Sequence, residues 1–164
     1  MRVTGYGVIY NSSGNIRYEA SGVIKTTNQD TNLASRIKII LLGLEEVIEQ
    51  FKPDCVAIEK VFVNINPQST LLLGQARGAA ISAAVMQNLD VFEYTALQVK
   101  KSVVGMGHAS KSQVQIMVQK LLNLPSIPSS DSADALACSI CHANISGSIA
   151  KFGTGNRMKS GRII

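Results

Sequence analysis

The chain has 164 residues, 46% of them hydrophobic, and a formal charge of +5. That length supports a core without disulfides, and no apolar run is long enough to span a bilayer. Lys151, Arg157, Lys159 and Arg162 crowd into residues 151–164, where there are no acids, so the body is nearly balanced and its net charge alone does not imply nucleic acid.

The opening residues carry Arg2 and no continuous apolar stretch, so no signal peptide is read and a cytoplasmic location is expected. The odd cysteine count (Cys55, Cys138 and Cys141) fits reduced thiols. Val3 to Tyr10 is β-rich, "NSSGN" is a turn, and Ile16 to Thr26 reads as the second arm of an antiparallel hairpin. Gly5 and Gly7 make a GxG with no following helix, which argues against a nucleotide loop. Between Leu33 and Phe51 apolar residues recur at helical spacing, and Pro53 ends the pattern.

"CVAIEKVF", Cys55 to Phe62, reads as a buried strand of an α/β sheet with a carboxylate, Glu59, set into it. A buried charge is costly unless paired or holding a metal, though a strand ending at Ile58 would leave Glu59 in a solvated turn. Residues 64–69 are a polar connector. Thr70 to Gln87 is a helix rich in glycine and alanine, suited to close packing on its own sheet or to a seam between two subunits, with Ala83 placed at that seam. "DVFEYT" is a strand, Leu97 to Val104 a short helix, "GMGHAS" a loop containing His108, and Lys111 to Leu124 a helix. From Thr95 to Ser130 there is no acid, but Lys100, Lys101, Lys111 and Lys120 are present.

The last helix, Ser130 to Ser146, opens with Asp131 and Asp134 on one face of its first turns. Acids at a helix start are often only capping chemistry, yet Asp134 sits among Ala133, Leu136 and Ala137. With Glu59 they form a hard-oxygen set suited to Mg²⁺ or Mn²⁺ rather than zinc. "CSICH" matches a haem-attachment spacing, but helical periodicity runs through it. It reads as core cysteines with a surface or capping His142.

"RVTGYGVI", "AIEKVF", "LGQARGAA", "KSQVQ" and "DSADALA" resemble, in order, the motifs of the bacterial RuvC family of Holliday-junction resolvases. The resemblance covers essentially the whole chain. It implies a ribonuclease H-like α/β fold, a mixed sheet flanked by helices, over residues 1–150; the tail over 151–164, glycine-rich and basic, is read from its composition as disordered. The resemblance also implies a homodimer, two Mg²⁺ ions per site, paired nicks in opposed strands of a four-way DNA junction, and a RuvA–RuvB branch-migration partner. By the same resemblance Glu59, Asp131 and Asp134 are catalytic metal ligands and Lys111 a catalytic lysine near the scissile phosphate. Lys100 contacts DNA, and Phe62 helps open the junction centre.

One departure stands out. Family members carry a strand of the form "GIDPGS" just before "RVTGYGV", central in the sheet between the hairpin and the Glu59 strand, and its aspartate is a fourth carboxylate. Here Met1 stands directly before Arg2. An empty central slot, poor stability and weak or absent cleavage are therefore expected. An internal methionine start and an inactive junction-binding relative are both open explanations.

Overall fold

The computed structural model describes residues 3–26, 32–62, 67–152 and 161–164. Strands β1 (Val3–Ser12) and β2 (Asn15–Lys25) form the expected hairpin. Its two-residue turn, Ser13 and Gly14, has φ of 52 and 92, the doubly left-handed geometry that matches strand twist. Helix α1 (Leu33–Phe51) is capped by Asn32, which accepts the Ser35 N–H at 2.8 Å. Then follow β3 (Cys55–Glu59), α2 (Pro67–Met86), β4 (Asp90–Tyr94), α3 (Ala96–Val104), α4 (Lys111–Leu121), α5 (Ser130–Phe152) and β5 (Gly161–Ile163). Capping boxes, Thr95 with Gln98 and Ser110 with Gln113, start α3 and α4.

The sheet order is β2-β1-β5-β3-β4. β1 is antiparallel to β2 and β5, while β3 is parallel to β4 and β5. This mixed sheet is covered on both faces. On one side α1 and α2 bring Ile40, Leu44, Ile48, Ala76 and Ala79 together. On the other, α3, α4 and α5 pack Val99, Val118, Leu136 and Ile140 against Ile9 and Cys55. β1 serves both: Ile9 enters the α5 core and Val8 the α1 side. This is the α/β arrangement expected above, a mixed sheet flanked by helices.

Several expectations are corrected. The end of the chain is not disordered throughout: β5 lies in the slot expected to be empty, and Ile163 and Ile164 are 4% and 7% exposed. The rest of that basic tail, residues 153–160 with Arg157 and Lys159, lies outside the described residues, as do Met1, Arg2 and residues 64–66 of the polar connector. The strand around Glu59 ends there rather than at Phe62, α5 runs past Ser146, and α4 stops at Leu121. Ala83 is wholly buried against α1 within its own chain, so it cannot sit on an outer seam. His142 is 1% exposed, not a surface residue; Tyr94 Oη lies 2.7 Å from its Nδ1 and Cys55 Sγ 3.5 Å from its Nε2.

Candidate active site

β3 delivers Glu59 to the carboxyl end of the parallel strands, the edge where open α/β sheets bind ligands. The strand continues through Glu59 because Lys60 N–H still donates to Tyr94 C=O at 2.7 Å. The side chain is exposed on the cleft, yet its pKa is raised. Lost hydration is the main cause and the Asp134 charge adds to it, while Lys100 and Lys111 oppose it.

The start of α5 faces this strand end. Ser129 accepts the Ser132 N–H, and the Ser132 hydroxyl donates to Gly22 C=O of β2 at 3.3 Å, fixing the helix start to the hairpin. Gly5 and Gly7 set the depth. A Cβ at Gly7 would lie 2.7 Å from Leu136, and one at Gly5 would overlap the Asp131 carbonyl, so the GxG is a bed for α5. Asp131 is exposed in the first turn and Asp134 half-buried one turn on. Asp134 is also raised, first by burial, with Asp131 adding to it against the pull of Lys111 and Lys100. Lys111 Nζ is 3.7 Å from Asp134 Oδ2, a solvated pair worth little for stability. Being the first residue of α4, Lys111 holds a cation where the helix dipole disfavours one.

Glu59, Asp131 and Asp134 line one cavity of about 290 Å³, together with Gly5, Gly7 and Ile164. The electrostatics join these acids with Lys100 and Lys111 in one field. Phe62, beyond the end of β3, is 65% exposed. Lys101, His108 and Lys120 are also exposed.

Among the described residues, no three acidic, histidine or cysteine side chains close into a ready-made metal cage. The oxygen-only donor set, with Asp134 adding to the raised pKa of Glu59 and Asp131 to that of Asp134, nonetheless fits a hydrated hard dication, since Mg²⁺ keeps several waters and its charge would relieve that repulsion.

Sequence reasoning missed two features here: the close approach of α5 over Gly5 and Gly7, and the buried Tyr94–His142–Cys55 chain, whose Tyr94 pairs in register with Glu59. A pair of alternating glycines within a β-branched run was the available signal for the first.

The family model for "Crossover junction endodeoxyribonuclease RuvC" matches residues 1–142. A protein of that name from Methylobacillus flagellatus is 60% identical over all of this chain and 94% of its own length. Another, from Azoarcus sp., is 57% identical over all of this chain and 89% of its own. Among solved structures, Thermus thermophilus RuvC in complex with a Holliday junction substrate is similar with a TM-score of 0.78 at 30% identity, covering 90% of this chain and 96% of that one. A further Thermus thermophilus RuvC structure gives 0.77 at 31%, covering 96% and 94%.

Proposed function

The chain belongs to the RuvC family of crossover junction endodeoxyribonucleases, and from that premise we propose that it cuts four-way DNA junctions by metal-dependent nicks in two opposed strands. The observation that carries the reading is the meeting of Glu59, Asp131 and Asp134 in one cavity at the carboxyl edge of the sheet, with Lys111 Nζ 3.7 Å from Asp134 Oδ2. An inactive, junction-binding relative finds no support, because the relatives described above are named as endonucleases.

Glu59, Asp131 and Asp134 would hold Mg²⁺ (one ion or two, with Mn²⁺ as a substitute). When bound, the metal supplies Lewis acidity to an attacking water and a departing 3′ oxygen. Lys111 reaches the same space and offsets charge growing on the scissile phosphate. Lys100, half-buried on α3, grips the neighbouring backbone, and exposed Phe62 offers a face on which an unpaired base at the junction centre can stack.

Symmetric cutting needs two matched sites, so a two-fold homodimer is part of the proposal. The outer face of α2, with exposed Leu71, Gly74, Gly78, Ser82 and Val85, is its seam. On family grounds the partner is a branch-migration complex of the RuvA–RuvB kind and the location is the cytoplasm. Among the described residues, no helix is long and apolar enough to cross a membrane.

The test is a junction-binding and single-turnover series in Mg²⁺. Glu59→Gln and Asp134→Asn should each slow cutting roughly 100-fold or more while leaving junction affinity near that of the parent. Parental cutting rates in both variants would reject this site.

A further inference from the structure

We propose that His142 is a positioning residue for the carboxylate site: through Tyr94 and Cys55 it fixes α5 against β3 and β4, and so sets where Asp131 and Asp134 stand relative to Glu59. Its effect on cutting rests on the nuclease reading above; the tether itself does not. The acids come from two elements, Glu59 from β3 and the aspartates from α5, and those elements must be held in one register. Apolar packing is poorly suited to that. The buried part of α5 is largely small, with Ala133, Ala137, Ala143, Cys138 and Cys141 around Leu136 and Ile140. Burial of apolar surface has no direction, so a slip along the helix is weakly opposed. A hydrogen bond is directional, and leaving one unmade in the interior is costly.

Among the described residues, Ser132, Ser139 and His142 bond α5 to the sheet. Ser132 donates to Gly22 C=O of β2 at 3.3 Å, and wholly buried Ser139 donates to Gly7 C=O of β1 at 3.0 Å. Both of these reach the hairpin. His142 reaches the parallel strands instead. Tyr94 Oη lies 2.7 Å from its Nδ1, Cys55 Sγ lies 3.5 Å from its Nε2, and the Phe92 ring stacks at 4.3 Å between centroids.

The partners of His142 sit where the site is built. Cys55 opens the strand that Glu59 closes, and Tyr94 pairs in register with Glu59. The Tyr94 carbonyl accepts the Lys60 N–H at 2.7 Å, and the next residue, Thr95, caps the helix that carries Lys100. His142 is 1% exposed and about two turns along α5 from Asp134, so it acts through these neighbours and not on the substrate. A slip of one residue would carry the aspartates ~1.5 Å along the helix axis. A misplacement of about 1 Å can slow a reaction roughly 100-fold.

The experiment compares the full chain with Tyr94→Phe, His142→Leu, the two combined, and His142→Asn, whose amide can still meet the Tyr94 hydroxyl. Each is followed by melting, by amide exchange without metal, and by affinity and single-turnover cutting of a four-way junction in Mg²⁺. The combined variant leaves neither the hydroxyl nor the imidazole unpaired, so its melting should return close to the parent. The register of α5 should not. That variant is expected to cut bound junctions about tenfold or more slowly at parental affinity. Its amides at Lys60 and residues 134–137 should exchange about tenfold or more faster. Tyr94→Phe deletes one oxygen and should show the same losses in smaller degree, while His142→Asn should stay near the parent. Parental cutting in the combined variant, or losses that simply follow melting temperature across the series, overturn the proposal. If the combined variant fails to fold, Tyr94→Phe decides by the same criteria. If no version cuts, the parent included, the nuclease reading fails, and exchange alone decides: parental exchange in the combined variant then overturns the tether.

Discussion

Lys100 and Lys111 sit in one field with Glu59 and Asp134, but their places differ. Lys111 contacts Asp134 directly at 3.7 Å, whereas Lys100 acts on both acids from α3. Lys111→Ala should lower turnover of the bound junction with little change in affinity, because its contribution grows with charge on the phosphate. Lys100→Ala should weaken binding and lower the salt slope by about one unit. Equal affinity loss in both, with unchanged turnover, would contradict this division.

A second residue-scale prediction concerns His142. Burial lowers its pKa below the ordinary 6.5, so the neutral ring is favoured in the fold, where it is hydrogen-bonded to the Tyr94 hydroxyl, whose own pKa burial pushes to about 12. The unfolded chain takes up the proton first as pH falls. The stability tied to neutral His142 is therefore present above 6.5 and lost on acidification below it. Glu59 and Asp134, both raised, act in the opposite sense. The signal is consequently the difference between parent and His142→Leu. That variant should lose about 1–3 kcal/mol at neutral pH through the orphaned Tyr94 hydroxyl, and its melting temperature should fall less steeply below pH 6.5. Parallel pH curves would contradict it.

At the scale of elements, α2 carries the clearest test. Its inner face, Ala76, Ala79, Ala83 and Ala84, is spent on the chain's own core. A Cβ at Gly78 meets nothing within 4 Å. Gly78→Glu should therefore leave the fold intact, even gaining up to about 1 kcal/mol of helix propensity, while giving a monomer by sedimentation that no longer makes paired nicks. A stable dimer would move the seam elsewhere.

This helix also shows why part of the fold escaped the sequence. Small residues all round leave no periodic contrast, so Ala83 and Gly78 looked alike, although one is sealed and the other open. α1, with bulky apolar residues at helical spacing and a proline stop, had no such ambiguity. β5 was hidden for a different reason: three residues after a glycine-rich, basic stretch carry no alternation, and their place depends on an edge left free by β1 and β3. Glu59 and Asp134, which line the same cavity, stood out because an acid in an apolar run has few reasons to be there. The burial of His142 did not, since a histidine fits either face of a helix.

Across the whole molecule, a mixed sheet brings one strand end and one helix start together, with a lysine from each of two further helices. Hairpin, caps and the glycine bed of β1 hold that geometry, and family membership gives it a substrate. The most direct measurement is strand mapping on a synthetic four-way junction, each strand labelled in turn, with the purified 164-residue chain in Mg²⁺. The account predicts nicks in two opposed strands at matching positions, absent from linear duplex and abolished by Glu59→Gln. Binding without nicks, or equal cutting of linear duplex, would contradict it.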